Sequence, residues 1–152
     1  TTMVSAIERH PSAGWTKGSS SLEKMIPIWD ETESYICDTL AEISDTCKSQ
    51  KKMEQTRFLL EGAYRLCPEN EKVLKAFGGF YYDEKSYKKA LIYWEKLLSL
   101  RKSCGNYYLC ALAYYLEGEY KKAEEYCHAA LKFPEDTYRD RVIDLLNKFD
   151  LD

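Results

Sequence analysis

Tyr87-Lys88-Lys89-Ala90 returns unchanged as Tyr120-Lys121-Lys122-Ala123. The same shift of 33 positions lays Gly78 on Ala111 and Tyr81 on Tyr114, so the echo reaches beyond the tetrapeptide into its N-terminal flank. Self-similarity at a period of about 20–50 residues marks a stacked architecture, in which each unit is one supersecondary element burying its apolar face on its neighbours.

Apolar spacing around the echo gives the units. Leu74, Phe77, Gly78 and Tyr81 share one helical face, a turn crosses Asp83 to Ser86, and Tyr87, Ala90, Leu91, Trp94 and Leu98 form the next stripe. Tyr107, Ala111 and Tyr114, a turn at Glu117-Gly118-Glu119, and then Tyr120, Ala123, Cys127, Ala130 and Leu131 repeat the arrangement. Upstream, Asp30 and Glu33 stand at capping-box spacing before Ile36, Leu40, Ile43 and Cys47, which predicts one apolar stripe. After the polar break Lys48 to Lys52, the stripe Met53, Leu60, Ala63, Tyr64 and Cys67 ends at Pro68. Past Pro134, Asp136 is the expected N-cap of a last helix carrying Tyr138, Val142, Leu145, Leu146 and Phe149 inward. Each helix is expected to be short. No segment keeps strict alternation and Gly-containing two-residue hairpin signals are missing, so the fold class is all-α.

Residues 1–29 read differently. Pro11, Gly14, Gly18 and the run Ser19-Ser20-Ser21 break any period, Ser20 and Glu23 start a short turn that Pro27 stops, and Trp15, Ile26 and Trp29 are isolated apolar anchors. This is an N-terminal arm, whose anchors are expected to pack into the chain's own groove or onto a neighbouring subunit.

These residues resemble the tetratricopeptide repeat, a helix-turn-helix unit of about 34 residues. Tyr107, Ala111, Tyr114, Tyr120, Ala123 and Ala130 fall on the family's positions, as do Leu74, Gly78, Tyr81, Tyr87, Ala90 and Trp94. Cys127, Leu97 and Lys102 depart from the pattern, and an earlier unit matches through Leu40, Ser44, Ala63 and Pro68. The resemblance implies a right-handed superhelix of about three units, 37–70, 71–103 and 104–135, with a capping helix over 136–149 and the repeat domain spanning 30–150. Small residues at 78, 90, 111, 123 and 130 suit close helix approach, with Tyr81, Trp94 and Tyr114 filling the gaps.

By the same resemblance, the first helix of each unit lines a groove that receives an extended or helical peptide. Its candidates are Asp38, Ala41 and Asp45, then Lys72, Lys75, Gly79 and Tyr82, then Tyr108, Leu112 and Tyr115. The alternative is that Tyr108, Leu112 and Tyr115 pack under the C-terminal helix. The family's chaperone-tail clamp needs basic and amide side chains where this chain has Ala41, Asp45, Ala76, Gly105 and Leu109, so that ligand is not expected. Lys51, Lys52, Lys85, Lys88, Lys89, Lys121 and Lys122 fall at the bends and form either a basic edge for an acidic partner or an anionic lipid surface, or a solvated edge.

Composition narrows the classes. With 152 residues, 45% hydrophobic and 31% charged, the chain is globular and long enough for one core. A net charge of −3 argues against nucleic acid as a partner. No apolar run reaches the roughly 18–20 residues of a membrane helix, and the first residues lack the charged-then-apolar order of a signal peptide. The six cysteines, Cys37, Cys47, Cys67, Cys104, Cys110 and Cys127, lack C-x-x-C spacing, and several fall at apolar repeat positions. They are expected to be reduced thiols in an intracellular compartment, the cytoplasm first. His10 and His128 lack spaced ligands, and no phosphate loop or nucleophile elbow is present, so no enzyme activity, cofactor or metal is expected.

The expected function is protein–protein interaction, as a scaffold or adaptor within a larger assembly, and a homo-oligomer is compatible with it. The alternative is a small dedicated chaperone or membrane-recruitment adaptor, resembling two short members of the superfamily, the type III secretion chaperones and the mitochondrial fission receptor, the latter through Tyr107-Tyr108-Leu109 and Glu119-Tyr120. A third class is a structural subunit whose groove is filled by its own arm.

Overall fold

The computed structural model describes residues 19–134 and 137–150, and every regular element among them is a helix. In order these are α1 (Ser19–Ser49), α2 (Met53–Leu66), α3 (Glu71–Asp83), α4 (Tyr87–Leu100), α5 (Cys104–Leu116), α6 (Tyr120–Ala130) and α7 (Arg139–Asp150). The chain divides between Val73 and Leu74 into two compact units. The fold is an all-α helical repeat.

Three turns are built alike. After α1, Lys52 N–H donates to the Cys47 carbonyl and Lys51 N–H to that of Lys48, both at 2.9 Å. After α3, Ser86 donates to Tyr81 and Lys85 to Tyr82, again at 2.9 Å. After α5, Glu119 donates to Tyr114 at 2.9 Å and Gly118 to Tyr115 at 3.0 Å. This paired pattern is a Schellman ending, and it requires one left-handed residue. Lys51 (φ 60°), Lys85 (φ 61°) and Gly118 (φ 84°) supply it. The residue that closes each turn, Lys52, Ser86 or Glu119, then accepts the first bond of the next helix at 3.0 Å. Only the third turn carries the glycine that such a φ favours. Lys85→Gly is therefore expected to raise stability by up to about 1 kcal/mol, read as a higher urea midpoint. A lower midpoint would contradict the turn geometry.

In the first unit α1 differs from its sequence reading in three ways. It is 31 residues long, it begins at Ser19, and it runs through Pro27, so Asp30 lies inside the helix and is not its cap. Proline removes one helical hydrogen bond, yet its φ near −65° is itself helical, so it need not end a helix. Trp15 lies outside the described residues, and Ile26 and Trp29 are placed only as positions along α1. The buried stripe differs as well. Cys37, Ala41 and Ser44 face inward against Thr56, Leu60 and Ala63 of α2, while Ile36 and Ile43 are 38% and 44% exposed. Both stripes have helical spacing and differ by a one-residue rotation. The narrower side chains lie inside, which lets the two helices approach closely. The buried hydroxyls are satisfied within their own helices, Ser44 donating to Ala41 O and Thr56 to Lys52 O at 2.7 Å each. Glu33 is buried with neither carboxylate oxygen hydrogen-bonded, a costly placement.

Cys37 and Cys67 are joined by a disulfide, which corrects the expectation of reduced thiols for this pair. Their Cα atoms stand 6.4 Å apart, within bridging range, because α2 returns alongside α1. Cys47, Cys104, Cys110 and Cys127 are free, and the last three are buried as small core residues.

The second unit holds the larger aromatic content. Phe77 stacks on Tyr93 at 4.3 Å between centroids and on Tyr81 at 5.4 Å. Trp94 is 3% exposed and donates its indole N–H to the Lys75 carbonyl at 3.2 Å. Its ring lies where a Cβ at residue 78 would sit, so only glycine fits there. Cys104, Ala111, Cys127, Ala130, Val142 and Leu145 form the core shared by α5, α6 and α7. Ser103 caps α5 by accepting from Asn106 N–H at 3.2 Å, and Asn106 donates its side-chain amide to Arg101 O at 2.8 Å.

Candidate interaction surface

Within the second unit the groove candidates of α5 are covered. Tyr108, Leu112 and Tyr115 are partly buried and pack on the core that α7 completes, together with Tyr138, Leu146 and Phe149. Tyr108 faces Tyr138 at 5.7 Å between centroids, and Tyr115 meets Phe149 edge-on at 5.5 Å. Burial raises the Tyr108 pKa, and Arg141 partly offsets the rise. On α3, Lys75 is exposed and donates to the Tyr138 hydroxyl at 3.0 Å. Tyr82 leans on Trp94 and Tyr87, at 5.6 Å from each, and its pKa is raised chiefly by burial. Asp136, the expected cap of α7, lies outside the described residues.

In the first unit the candidates are polar. Asp38 accepts from the Asn70 side-chain amide at 2.8 Å, and Asn70 Oδ1 in turn accepts from Val73 N–H at 3.0 Å, capping α3. Lys72 reaches Glu42 at 3.5 Å and Asp38 at 3.8 Å, with 58% of its side chain exposed. Such solvated pairs contribute little to stability. Ala41 faces inward and Asp45 outward.

Lys88, Lys89, Lys121 and Lys122 are all exposed. Lys89 Nζ stands 5.5 Å from the Tyr81 ring centroid and Lys122 Nζ 5.2 Å from that of Tyr114. The second lysine of the repeated tetrapeptide therefore sits over the tyrosine of the helix before it in both repeats, a contact of about 0.5–1 kcal/mol. This gives the recurrence of Tyr81 and Lys89 as Tyr114 and Lys122 a physical cause. It also means that one lysine of each pair covers a ring, leaving Lys88 and Lys121 the freer charges.

One polar cluster had no sequence signal. The hydroxyls of Tyr114 and Tyr126 both donate to Glu95 Oε1, at 2.7 and 2.8 Å, linking α4, α5 and α6. No spacing rule joins three residues on three helices. Burial first, and then the hydrogen bond to Glu95, pushes Tyr126 up to about 12 and Tyr114 well above the ordinary tyrosine range. A tyrosine whose folded pKa is raised binds its proton more tightly folded than unfolded. Stability from these groups is present below pH 10 and is lost as pH climbs toward 12. Alkaline titration of Tyr126→Phe should show a shallower loss than wild type over that window. Identical slopes would remove Tyr126 from the account.

Among the described residues no cluster of His, Cys, Asp or Glu is placed to hold a metal, and no helix is long and apolar enough to cross a membrane. A surface recess of about 560 Å³ lies in the first unit, lined by Cys47, Glu54, Gln55, Phe58 and Leu59.

The architecture has solved counterparts. The first repeat domain of Spaghetti (RPAP3), bound to the HSP90 peptide SRMEEVD, matches with a TM-score of 0.69, covering 78% of this chain and 93% of that one at 15% identity. This chain has the tetratricopeptide-repeat fold. The N-terminal domain of stress-induced protein-1 (STI-1) from C. elegans matches at TM-score 0.63 and 16% identity, over 74% of this chain and 96% of that domain. The Pseudomonas aeruginosa protein pilF matches at 0.58 and 23% identity, over 75% of this chain and 55% of its own. The family model for anaphase-promoting complex, cyclosome, subunit 3 matches residues 83–143 of this chain. No curated protein matches it in sequence.

Proposed function

We propose that this chain is a non-catalytic protein-interaction module, a scaffold or adaptor that holds a peptide or helix of a partner against the inner helices of its repeats. The observation that carries the reading is the seating of α7. An amphipathic helix lies on Tyr108, Leu112 and Tyr115 through Tyr138, Leu146 and Phe149, the packing a helix-in-groove ligand would use. The peptide bound by the RPAP3 repeat domain supports peptide recognition by this fold.

The ligand chemistry differs from that peptide, whose C-terminal half is Glu-Glu-Val-Asp. Ala41 is buried and Gly105 lies under the Tyr138 ring, 2.8 Å from where its Cβ would be, so neither offers a charge to a carboxylate tail. The exposed Lys72 and Lys75 on α3 favour acidic side chains within a longer motif. Capture of partners from the native source is expected to fall about tenfold or more for Lys72→Glu combined with Lys75→Glu. Undiminished recovery would sink the groove. It would favour the second reading, a structural subunit whose last groove is permanently filled by α7.

A further inference from the structure

We infer that α2 is a self-complementary face through which a second copy of this chain binds, the two α2 helices lying antiparallel about a twofold axis. The first observation is a glycine with no internal reason. At Gly78 and Gly105 an aromatic ring takes the space of a Cβ, whereas nothing lies within 4 Å of the Cβ position at Gly62. Glycine inside a helix weakens it relative to alanine, and none of the described residues uses the space so opened. One turn earlier stands Phe58, 76% exposed, at the rim of the recess lined by Cys47, Glu54, Gln55 and Leu59. An exposed aromatic side chain and the open space over a glycine thus sit side by side.

The second observation is the order of charges. Glu54, Phe58, Gly62 and Arg65 follow at steps of four, four and three, which puts them on one stripe. Neither Glu54 nor Arg65 forms an ion pair with another described residue. Turning the stripe end for end about its midpoint sets Glu54 against Arg65 of the second copy and Phe58 against its Gly62. The twofold axis makes each contact twice, as an isologous interface requires. Arg57 and Glu61 on the flank run in the opposite sense, base before acid, and the same turn sets each against the other in the second copy. A parallel arrangement would oppose Glu54 to Glu54, so charge also fixes the direction. An unrelated partner would have to bring this pattern inverted, whereas a second copy brings it by symmetry. The face uses none of the residues tested for partner capture.

Sedimentation velocity on the full chain reads the outcome. Wild type is expected to dimerise, and Phe58→Glu to weaken the dimer about tenfold or more. Gly62→Leu should do the same while keeping the helical circular dichroism of wild type, because its side chain meets open space in the monomer and improves helix propensity. Glu54→Arg and Arg65→Glu should each be monomeric alone. Mixed in equal amounts they should associate again, since every opposed pair in the mixed dimer joins opposite charges. A wild-type chain still monomeric at about 100 µM, a Gly62→Leu dimer as tight as wild type, or a mixture no stronger than its components would each overturn the inference.

Discussion

Replacing Trp94 by alanine is expected to remove about 3–5 kcal/mol of unfolding free energy, the cost of deleting a large buried aromatic side chain. That is a large share of the roughly 5–15 kcal/mol that holds a domain folded. Trp94 is 3% exposed, its indole N–H is bonded to Lys75 O at 3.2 Å, and its ring covers Gly78. The pairing with Gly78 sharpens the test. Gly78→Ala alone should cost about 1–3 kcal/mol by forcing the indole aside. In the Trp94→Ala background the same change should cost nothing or stabilise, because alanine favours the helix by about 1 kcal/mol and the obstructing ring is gone. Urea unfolding of the four proteins measures the coupling. Additive effects, or a Trp94→Ala loss below about 1 kcal/mol, would mean that α3 and α4 do not meet through this contact.

Reducing the Cys37–Cys67 bridge is the second large effect. The cysteines are 30 residues apart, and loop closure over that span restrains the unfolded chain by about 3–4 kcal/mol. Adding dithiothreitol should lower the urea midpoint of wild type and leave that of the Cys37→Ala, Cys67→Ala double variant unchanged. Alkylation under denaturing, non-reducing conditions should label Cys47, Cys104, Cys110 and Cys127 only. Six labelled cysteines and a midpoint indifferent to reductant would show the chain to be fully reduced as isolated.

The disulfide also marks where sequence reading stopped. Cys37 opens an expected unit and Cys67 stands near its end, on the apolar stripe of the second helix, with no C-x-x-C spacing to mark either as bridged. Their proximity comes from the return of α2 along α1, which no local spacing encodes. The stripe of α1 failed for a related reason. Periodicity gives the angle between apolar residues, whereas burying Cys37, Ala41 and Ser44 in place of Ile36 and Ile43 depends on how closely α2 approaches. The coverage of Tyr108, Leu112 and Tyr115 by α7 was visible as one of two options, and packing decided it. The Glu95 cluster and the open space at Gly62 gave no signal, because each depends on which atoms are near in space or on their absence.

The sequence by itself determined the helical class and the repeat, through apolar residues at helical spacing and a tetrapeptide whose second lysine meets a tyrosine on the preceding helix in both copies. Those are short-range interactions, complete within a helix or a single turn. The tertiary structure alone decided which stripe of α1 turns inward, which cysteines join, and which tyrosines are covered. Each of those outcomes is a contact between elements distant along the chain, fixed by side-chain volume and the distance at which helices pack.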